Sequence, residues 1–271
     1  MVGSLATMIN TVTFKPKSRS RNQNQGGLPS KMTVFCDFDG PIIDVGDRYY
    51  STYKLALTET VAYYHEQNIF IPCRLQNQKT FWEMKKARVP DVEIAQLSGL
   101  EGEQIQFFRN RVVEIVNQPE QLHQDKMQAG VGWALTYLRV NGIKLVLVTL
   151  REQEQATRIL QQLDLFHLFA AIYGTQQESA AYQNQPQQKT QLLAQAIAEQ
   201  LPFGCDCDRT WMVGDTEADL IAAQAAGVKS IALTCGIRNQ QVLEQFSPTE
   251  IFSDLLSFTL SLVHQTELVA A

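Results

Sequence analysis

The sequence predicts an α/β protein: a doubly wound parallel sheet, helices on both of its faces, and a long helical insertion near the start. Three observations carry this expectation. From residue 131 onward short β-favouring runs alternate with helix-length segments. Those runs are apolar almost throughout, as strands buried on both faces are. Between the first run and the second lie residues 44–130, which carry helical rather than strand signals.

The first strand is expected at residues 32–36 (MTVFC), which run straight into Asp37, Phe38, Asp39 and Gly40. In residues 44–130, Tyr50, Tyr53, Leu57, Val61 and Tyr64 share one helix face, and Ile105, Phe108, Val112 and Ile115 repeat the pattern. Phe81, Trp82 and Met84 form a third apolar patch, and Pro90-Asp91 begins another short helix. A simple parallel crossover needs only about a dozen residues, so this region reads as an inserted helical subdomain whose aromatic stripes pack within it. A helix with Val131, Leu135 and Leu138 at helical spacing then stops at Asn141-Gly142. After it come a strand at 144–149 (KLVLVT), a helix at 153–163, a strand at 171–173 and a helix at 189–200. A strand at 210–213, a helix at 216–226 ending at Gly227 and a strand at 229–233 complete the alternation. The expected organisation is a tail at 1–31, a core made of 32–43 and 131–271, and a helical insertion at 44–130.

Composition narrows the function. Of 271 residues 45% are hydrophobic and 19% charged, enough apolar content for a sizeable core. No apolar run approaches the roughly eighteen residues of a transmembrane helix. A net charge of -5 argues against a nucleic-acid partner. The first 36 residues hold no acidic side chain but five basic ones, Lys15, Lys17, Arg19, Arg21 and Lys31, which leaves the body more acidic still. Residues 15–30 offer almost nothing to pack and read as a disordered basic tail. Five cysteines in a long chain form no disulfide framework, and Cys205-x-Cys207 lacks the spacing of a redox or zinc motif. The expected compartment is the cytoplasm, or an organelle if the acid-poor start is a transit peptide.

The chemistry gathers at strand ends, where open parallel sheets bind ligands. Asp37 and Asp39 follow the first strand, Thr149 ends the second, Lys189 opens a later helix, and Asp215 and Asp219 follow the strand at 210–213. So many carboxylates repel one another unless a hard divalent cation such as Mg²⁺ sits among them. Thr149 and Lys189 can hold phosphoryl oxygens, and phosphoryl transfer depends mostly on such positioning and charge stabilisation. A carboxylate can act as nucleophile, and a second one two residues on as acid and base.

VFCDFDGPIID, LVLVTL, the lone Lys189 and VGDTEADL together resemble the four ordered motifs of the haloacid dehalogenase-like superfamily of hydrolases. The helical insertion resembles the C1-type cap of the phosphoglycolate phosphatase and β-phosphoglucomutase branch. The resemblance implies a Rossmann-like doubly wound parallel sheet with an inserted helical C1-type cap. It implies Asp37 as nucleophile, Asp39 as acid/base with its backbone carbonyl on Mg²⁺, and Thr149 and Lys189 as phosphate-binding residues. Asp37 and Asp215 would ligate the metal directly, with Asp219 acting through a water or as support. The activity implied is Mg²⁺-dependent hydrolysis of a small phosphorylated metabolite through an aspartyl phosphate, by a monomer or homodimer.

Some positions depart from the pattern. Pro41 stands where many relatives carry Thr or Val, Arg151 is unusual two residues past Thr149, and the loop before Lys189 is long and Gln-rich. No other lysine lies between Lys144 and Lys229, which supports Lys189. A sugar-phosphate mutase shares every core residue, a phosphonatase needs a buried lysine from the insertion, and a non-catalytic binding protein is the alternative from another class. In the insertion Lys85, Lys86 and Arg88 beside Trp82, together with Arg48 and Tyr49, are the candidates for substrate selection.

Overall fold

The computed structural model describes residues 31–176 and 180–270. The expected disordered tail lies outside them except for Lys31, which opens the first strand, and so does Glu178 of the Gln-rich loop. In chain order, β1 (Lys31–Cys36) is followed by the short strand β2 (Ile43–Asp44) and by helices α1 (Gly46–Glu66), α2 (Gln78–Lys86), α3 (Asp91–Leu97), α4 (Glu103–Ile115) and α5 (Pro119–Leu122). The short strand β3 (Lys126–Met127) and α6 (Val131–Val140) lead to β4 (Lys144–Glu152), α7 (Gln153–Gln162), β5 (Ala171–Thr175), α8 (Ala180–Gln183) and α9 (Pro186–Gln200). Then come β6 (Cys205–Gly214), α10 (Glu217–Ala226), β7 (Lys229–Leu233), α11 (Gln240–Glu244), β8 (Glu250–Phe252) and α12 (Leu255–Ala270).

Six parallel strands form one sheet in the order β5-β4-β1-β6-β7-β8. The chain runs outward from β1 on one side and then on the other, so the ends of β1, β4 and β6 flank the point where the winding reverses. Register aligns those ends. Cys36 is level with Leu147 on β4 and with Val213 on β6. Asp37 and Asp215, which follow their strands, and Thr149, which the structure places within β4 because that strand runs on to Glu152, therefore come together at the carboxyl ends of the central strands.

Side chains alternate between the faces with the two-residue period of a strand. Val34, Cys36, Leu145 and Leu147 join one apolar cluster with Leu135 and Leu138 of α6 and Phe258 and Leu262 of α12. Phe35, Val146, Val148 and Met212 join the other with Leu193 of α9 and Ala222 of α10. Burying such a side chain contributes about 1.5–3 kcal/mol, which is why strands covered on both faces read as unbroken apolar runs.

The α/β parallel sheet is as the sequence predicts, and the differences are local. The helix carrying Lys189 starts three residues earlier than expected, at Pro186, because proline suits the first turn where its missing N–H has no partner to lose. Strand β6 begins at Cys205, and its pairing with β1 shifts register between Lys31 and Thr33; the polar residues Asp206, Asp208 and Arg209 hide this extension from an apolar-run reading. The edge strand β8 is only three residues long and gives too little pattern to detect.

The insertion is helical but not continuous. Residues 67–77 and 87–90 join helices without forming one. Where the chain leaves and returns, β2 and β3 pair antiparallel, Ile43 with Met127 and Asp44 with Lys126. The expected apolar faces pack inward: Tyr53 stacks on Phe81 with centroids 4.8 Å apart and meets Phe108 edge-on at 6.1 Å. Tyr53, Leu57, Phe108, Val112 and Ile115 are buried. Among the described residues no helix is long and apolar enough to cross a membrane.

Candidate active site

The turn after β1 is shaped by hydrogen bonds. The Asp37 amide donates to the Val213 carbonyl at 2.9 Å, and those of Ile42 and Ile43 donate back to the Phe38 carbonyl at 3.1 and 3.0 Å. Gly40 takes φ +95° in this turn, a conformation that costs glycine little. Asp37 Oδ1 accepts from the Phe38 amide at 2.7 Å and faces Lys189 Nζ, also at 2.7 Å. The same ammonium lies 2.7 Å from Asp219 Oδ1. Asp219 serves two partners, because its Oδ2 accepts from the Thr216 amide at 3.2 Å and caps α10. Asp215 Oδ2 accepts from the Ile237 amide at 2.6 Å.

These charges are out of water. Asp215 and Asp219 are 0% exposed, Lys189 is 1% and Asp37 is 7%. One oxygen from each of Asp37, Asp215 and Asp219 fits within 4.8 Å of the others. Asp215 Oδ1 accepts no hydrogen bond from any described residue. Burial, then the Asp219 and Asp37 charges, push the Asp215 carboxyl well above the usual range. Burial pushes Asp37 up to about 7 although Lys189 pulls the other way. Burial alone would lower the Lys189 ammonium, but Asp219 and Asp37 hold it above its ordinary value.

A crowded, desolvated set of oxygen donors with an orphaned carboxylate oxygen fits a hard divalent cation, and Mg²⁺ suits such carboxylates. The backbone adds to the fit. A Cβ at Gly40 or Gly236 would come within 2.2 or 2.0 Å of the Asp215 carboxylate, and one at Gly214 within 2.1 Å of Asp219. Three glycines therefore close around the acidic groups.

The side chain of Asp39 lies apart from this trio. Its carboxylate faces Arg48 Nη2 at 3.3 Å and Arg151 Nη2 at 2.6 Å. Thr149 is 1% exposed, and its hydroxyl accepts from the Arg151 amide at 3.1 Å. Asp37, Asp39 and Thr149 line a cavity of about 40 Å³, with Tyr49 and Lys85 from the insertion and Arg238 from the segment after β7. That is room for a water or two, and the insertion reaches over the strand ends through Tyr49 and Lys85.

Lys85 Nζ is 2.9 Å from Asp91 Oδ1, and the Tyr182 hydroxyl donates to Asp91 Oδ2 at 2.9 Å. Arg88 and Arg238 both pair with Glu217, at 3.1 and 2.8 Å. Lys86 approaches through its backbone, its carbonyl accepting from the Asn239 amide at 3.0 Å.

All six sequence-predicted site residues thus meet at the carboxyl ends of the central strands. Tyr182, Arg238, Gly236 and Asp125, whose carboxylate lies 2.8 Å from both Arg48 and Arg151, were not anticipated. Arg238 follows a parallel strand and could have been suspected on that ground; Tyr182 sits in a Gln-rich stretch with no local signal.

The family model for haloacid dehalogenase-like hydrolases matches residues 34–233. The chain belongs to this family. Within it the chain resembles phosphoglycolate phosphatases. It is 33% identical to the one from Neisseria gonorrhoeae over 115 residues, 42% of this chain and 45% of that protein. With the one from Mesorhizobium japonicum it shares 28% over 137 residues, 50% of this chain and 56% of that protein. The matched stretch spans about half the length of these curated relatives. Among solved structures, a predicted phosphatase from Clostridium acetobutylicum superposes with a TM-score of 0.61 at 17% identity, covering 88% of this chain and all (100%) of the other. A haloacid dehalogenase superfamily hydrolase from Geobacter sulfurreducens gives 0.56 at 16%, covering 87% and 98%. At such identities these two comparisons show a shared haloacid dehalogenase-like fold.

Proposed function

We propose that the chain is a Mg²⁺-dependent phosphomonoester hydrolase acting on a small phosphorylated metabolite, with phosphoglycolate the first substrate to test. Residues 32–43 and 131–271 form its core, and residues 44–130 its cap. The observation that carries the reading is Lys189 bridging Asp37 and Asp219 beside the buried Asp215. Asp37, Asp215, Asp219 and the backbone carbonyl of Asp39 would hold the metal. When bound, Mg²⁺ neutralises charge on the phosphoryl group and lets it approach the carboxylates.

An Asp37 carboxylate oxygen attacks phosphorus as the bond to the ester oxygen breaks. Asp39 gives a proton to that departing oxygen. The Lys189 ammonium and the Thr149 hydroxyl donate to the other phosphoryl oxygens and keep the group in line. Asp39, now a carboxylate, takes a proton from a water whose oxygen attacks the aspartyl phosphate, which frees phosphate and restores Asp37. Tyr49 and Lys85 of the insertion line this cavity and would limit the access of bulk water during the first transfer.

Screening phosphorylated metabolites with and without Mg²⁺ tests the reading. Phosphate release that requires Mg²⁺ and vanishes in EDTA supports it. Release unchanged in excess EDTA removes the mechanism, and transfer to a sugar without phosphate release promotes the mutase.

A further inference from the structure

Two cations that line the cavity take no part in the steps above. Lys85 lies in the last turn of α2, Arg238 follows β7, and both side chains are 12% exposed. Arg238 Nη1 donates to the backbone carbonyl of Lys85 at 3.0 Å, which ties the two residues together. Each also has a carboxylate beside it. Lys85 Nζ is 2.9 Å from Asp91 Oδ1, and Arg238 Nε and Nη2 donate to Glu217 Oε2 and Oε1 at 2.8 and 3.1 Å. Those carboxylates are shared. The Tyr182 hydroxyl donates to Asp91 Oδ2 at 2.9 Å, and Arg88 Nε lies 3.1 Å from Glu217 Oε1.

The ion pairs around the cavity do not all cancel. Arg48 and Arg151 close a ring with Asp39 and Asp125, two cations against two carboxylates. Lys85, Arg88 and Arg238 pair only with Asp91 and Glu217, three cations against two carboxylates. Burial alone would raise both of these carboxyls, but Lys85 holds Asp91, and Arg238 holds Glu217, below their ordinary values, so all five groups count as charged. One positive charge is in excess on this wall, where water is scarce and charge acts over a low dielectric. Donors are free there as well. An ammonium has three N–H groups, and among the described residues Asp91 is the one hydrogen-bond acceptor of Lys85 Nζ. The rings of Tyr49 and Tyr182, with centroids 5.8 and 5.0 Å from it, flank the ammonium with their faces.

We infer that Lys85 and Arg238 are specificity-determining residues that select phosphate esters carrying a carboxylate close to the ester oxygen over neutral esters of the same size. The inference rests on the phosphatase reading above, in which Asp37 and Thr149 take the phosphoryl end of the cavity. The rest of a bound ester then lies against Tyr49, Lys85 and Arg238. A carboxylate in that position accepts from the ammonium and the guanidinium, and its single charge matches the excess. A second phosphate would bring about 1.5 to 2 negative charges, and a sugar hydroxyl brings none. The small cavity keeps the second group within a short reach of the first. Such contacts hold the substrate as well as the transition state, so losing them raises KM more than it lowers kcat. Damage to the fold would instead slow charged and neutral esters alike.

The test uses the full chain with Mg²⁺ and three short esters: phosphoglycolate, 2-hydroxyethyl phosphate, which has a hydroxymethyl group in place of the carboxylate, and ethylene glycol bisphosphate. Lys85→Met and Arg238→Met remove the two charges one at a time. Each leaves the abandoned carboxylate a partner, Tyr182 for Asp91 and Arg88 for Glu217. Lys85→Arg keeps the charge. The wild type should prefer phosphoglycolate to 2-hydroxyethyl phosphate in kcat/KM. Each Met variant should cut that preference by about 10- to 100-fold, the range of one hydrogen bond to a charged group, and chiefly through KM. Lys85→Arg should recover most of it. No preference in the wild type, or Met variants that slow both esters equally, would overturn the inference while phosphate release preserves the phosphatase reading. Release from neutral sugar phosphates in the metabolite screen, with none from any carboxylate-bearing ester, would overturn it too. A Lys85-dependent preference for the bisphosphate over phosphoglycolate would overturn the assignment of a carboxylate. No Mg²⁺-dependent release from any ester would remove the phosphatase reading, and the inference with it.

Discussion

Gly236 lies against the Asp215 carboxylate so closely that a Cβ at position 236 would be 2.0 Å from Asp215 Oδ2. The neighbouring Ile237 amide donates to that same oxygen at 2.6 Å. Even one methyl group must displace the acidic group, the loop after β7, or both, since packed interiors leave no slack for it. Gly236→Ala is expected to weaken Mg²⁺ binding and lower kcat at least about tenfold, equivalent to ~1.4 kcal/mol. Steady-state kinetics over a Mg²⁺ titration measures both. Wild-type kcat and metal affinity in the variant would contradict the close packing on Asp215.

The acidic trio predicts how pH governs metal binding. Burial pushes Asp37 up to about 7 and Asp215 well above the usual range. Without metal, the folded protein therefore holds protons that the unfolded chain releases near pH 4. The contribution of these groups to stability is fully present below about pH 4 and is lost as pH rises through their folded values. Mg²⁺ must displace the same protons to bind. The rise in Tm on adding Mg²⁺ should be small near pH 5 and grow towards about pH 8, reaching the equivalent of about 2.7 kcal/mol at one hundred times Kd. Thermal melts across pH at fixed Mg²⁺ make the measurement. A gain that shrinks as pH rises, or no gain at any pH, would remove the metal from this cluster.

Lys189 is the only cation between Asp37 and Asp219 among the described residues, at 2.7 Å from each. Lys189→Met keeps most of the buried stem but leaves two carboxylates without their countercharge. Removing one partner of a buried pair costs about 3–5 kcal/mol. Urea denaturation without Mg²⁺ should show a loss of that order, with part of it recovered on adding the metal. A loss below about 1 kcal/mol would mean that the ammonium does not hold the cluster together.

The α/β alternation was legible because buried parallel strands are written as short apolar runs, and Lys229–Leu233 falls where the pattern puts it. Asp37, Asp39, Thr149 and Asp215 were legible for the same reason, since each stands within a few residues of such a run. The ring around Asp39 was not. Arg48, Asp125 and Arg151 are separated by 77 and 26 positions in sequence, and no periodicity links a helix start, a return segment and a strand end. The two-residue ladder of β2 and β3 is too short to show alternation, yet it sets where the insertion joins the core. Gly236 reads as an ordinary loop glycine until the Asp215 carboxylate beside it is placed. Long-range charge pairing and close backbone approach belong to tertiary structure, and local sequence does not encode them.

The measurement closest to the central claim is to trap the phosphoryl group on the protein. The full chain with Mg²⁺ is mixed with p-nitrophenyl phosphate, quenched in acid within the first turnovers and digested, and the peptides are weighed. The account predicts one added phosphoryl group on the peptide that ends β1, assigned to Asp37, and none there in Asp37→Asn, whose turnover falls to near background. Turnover with an unmodified Asp37 peptide at every quench time, or an Asp37→Asn variant keeping more than about a tenth of wild-type kcat, would contradict it.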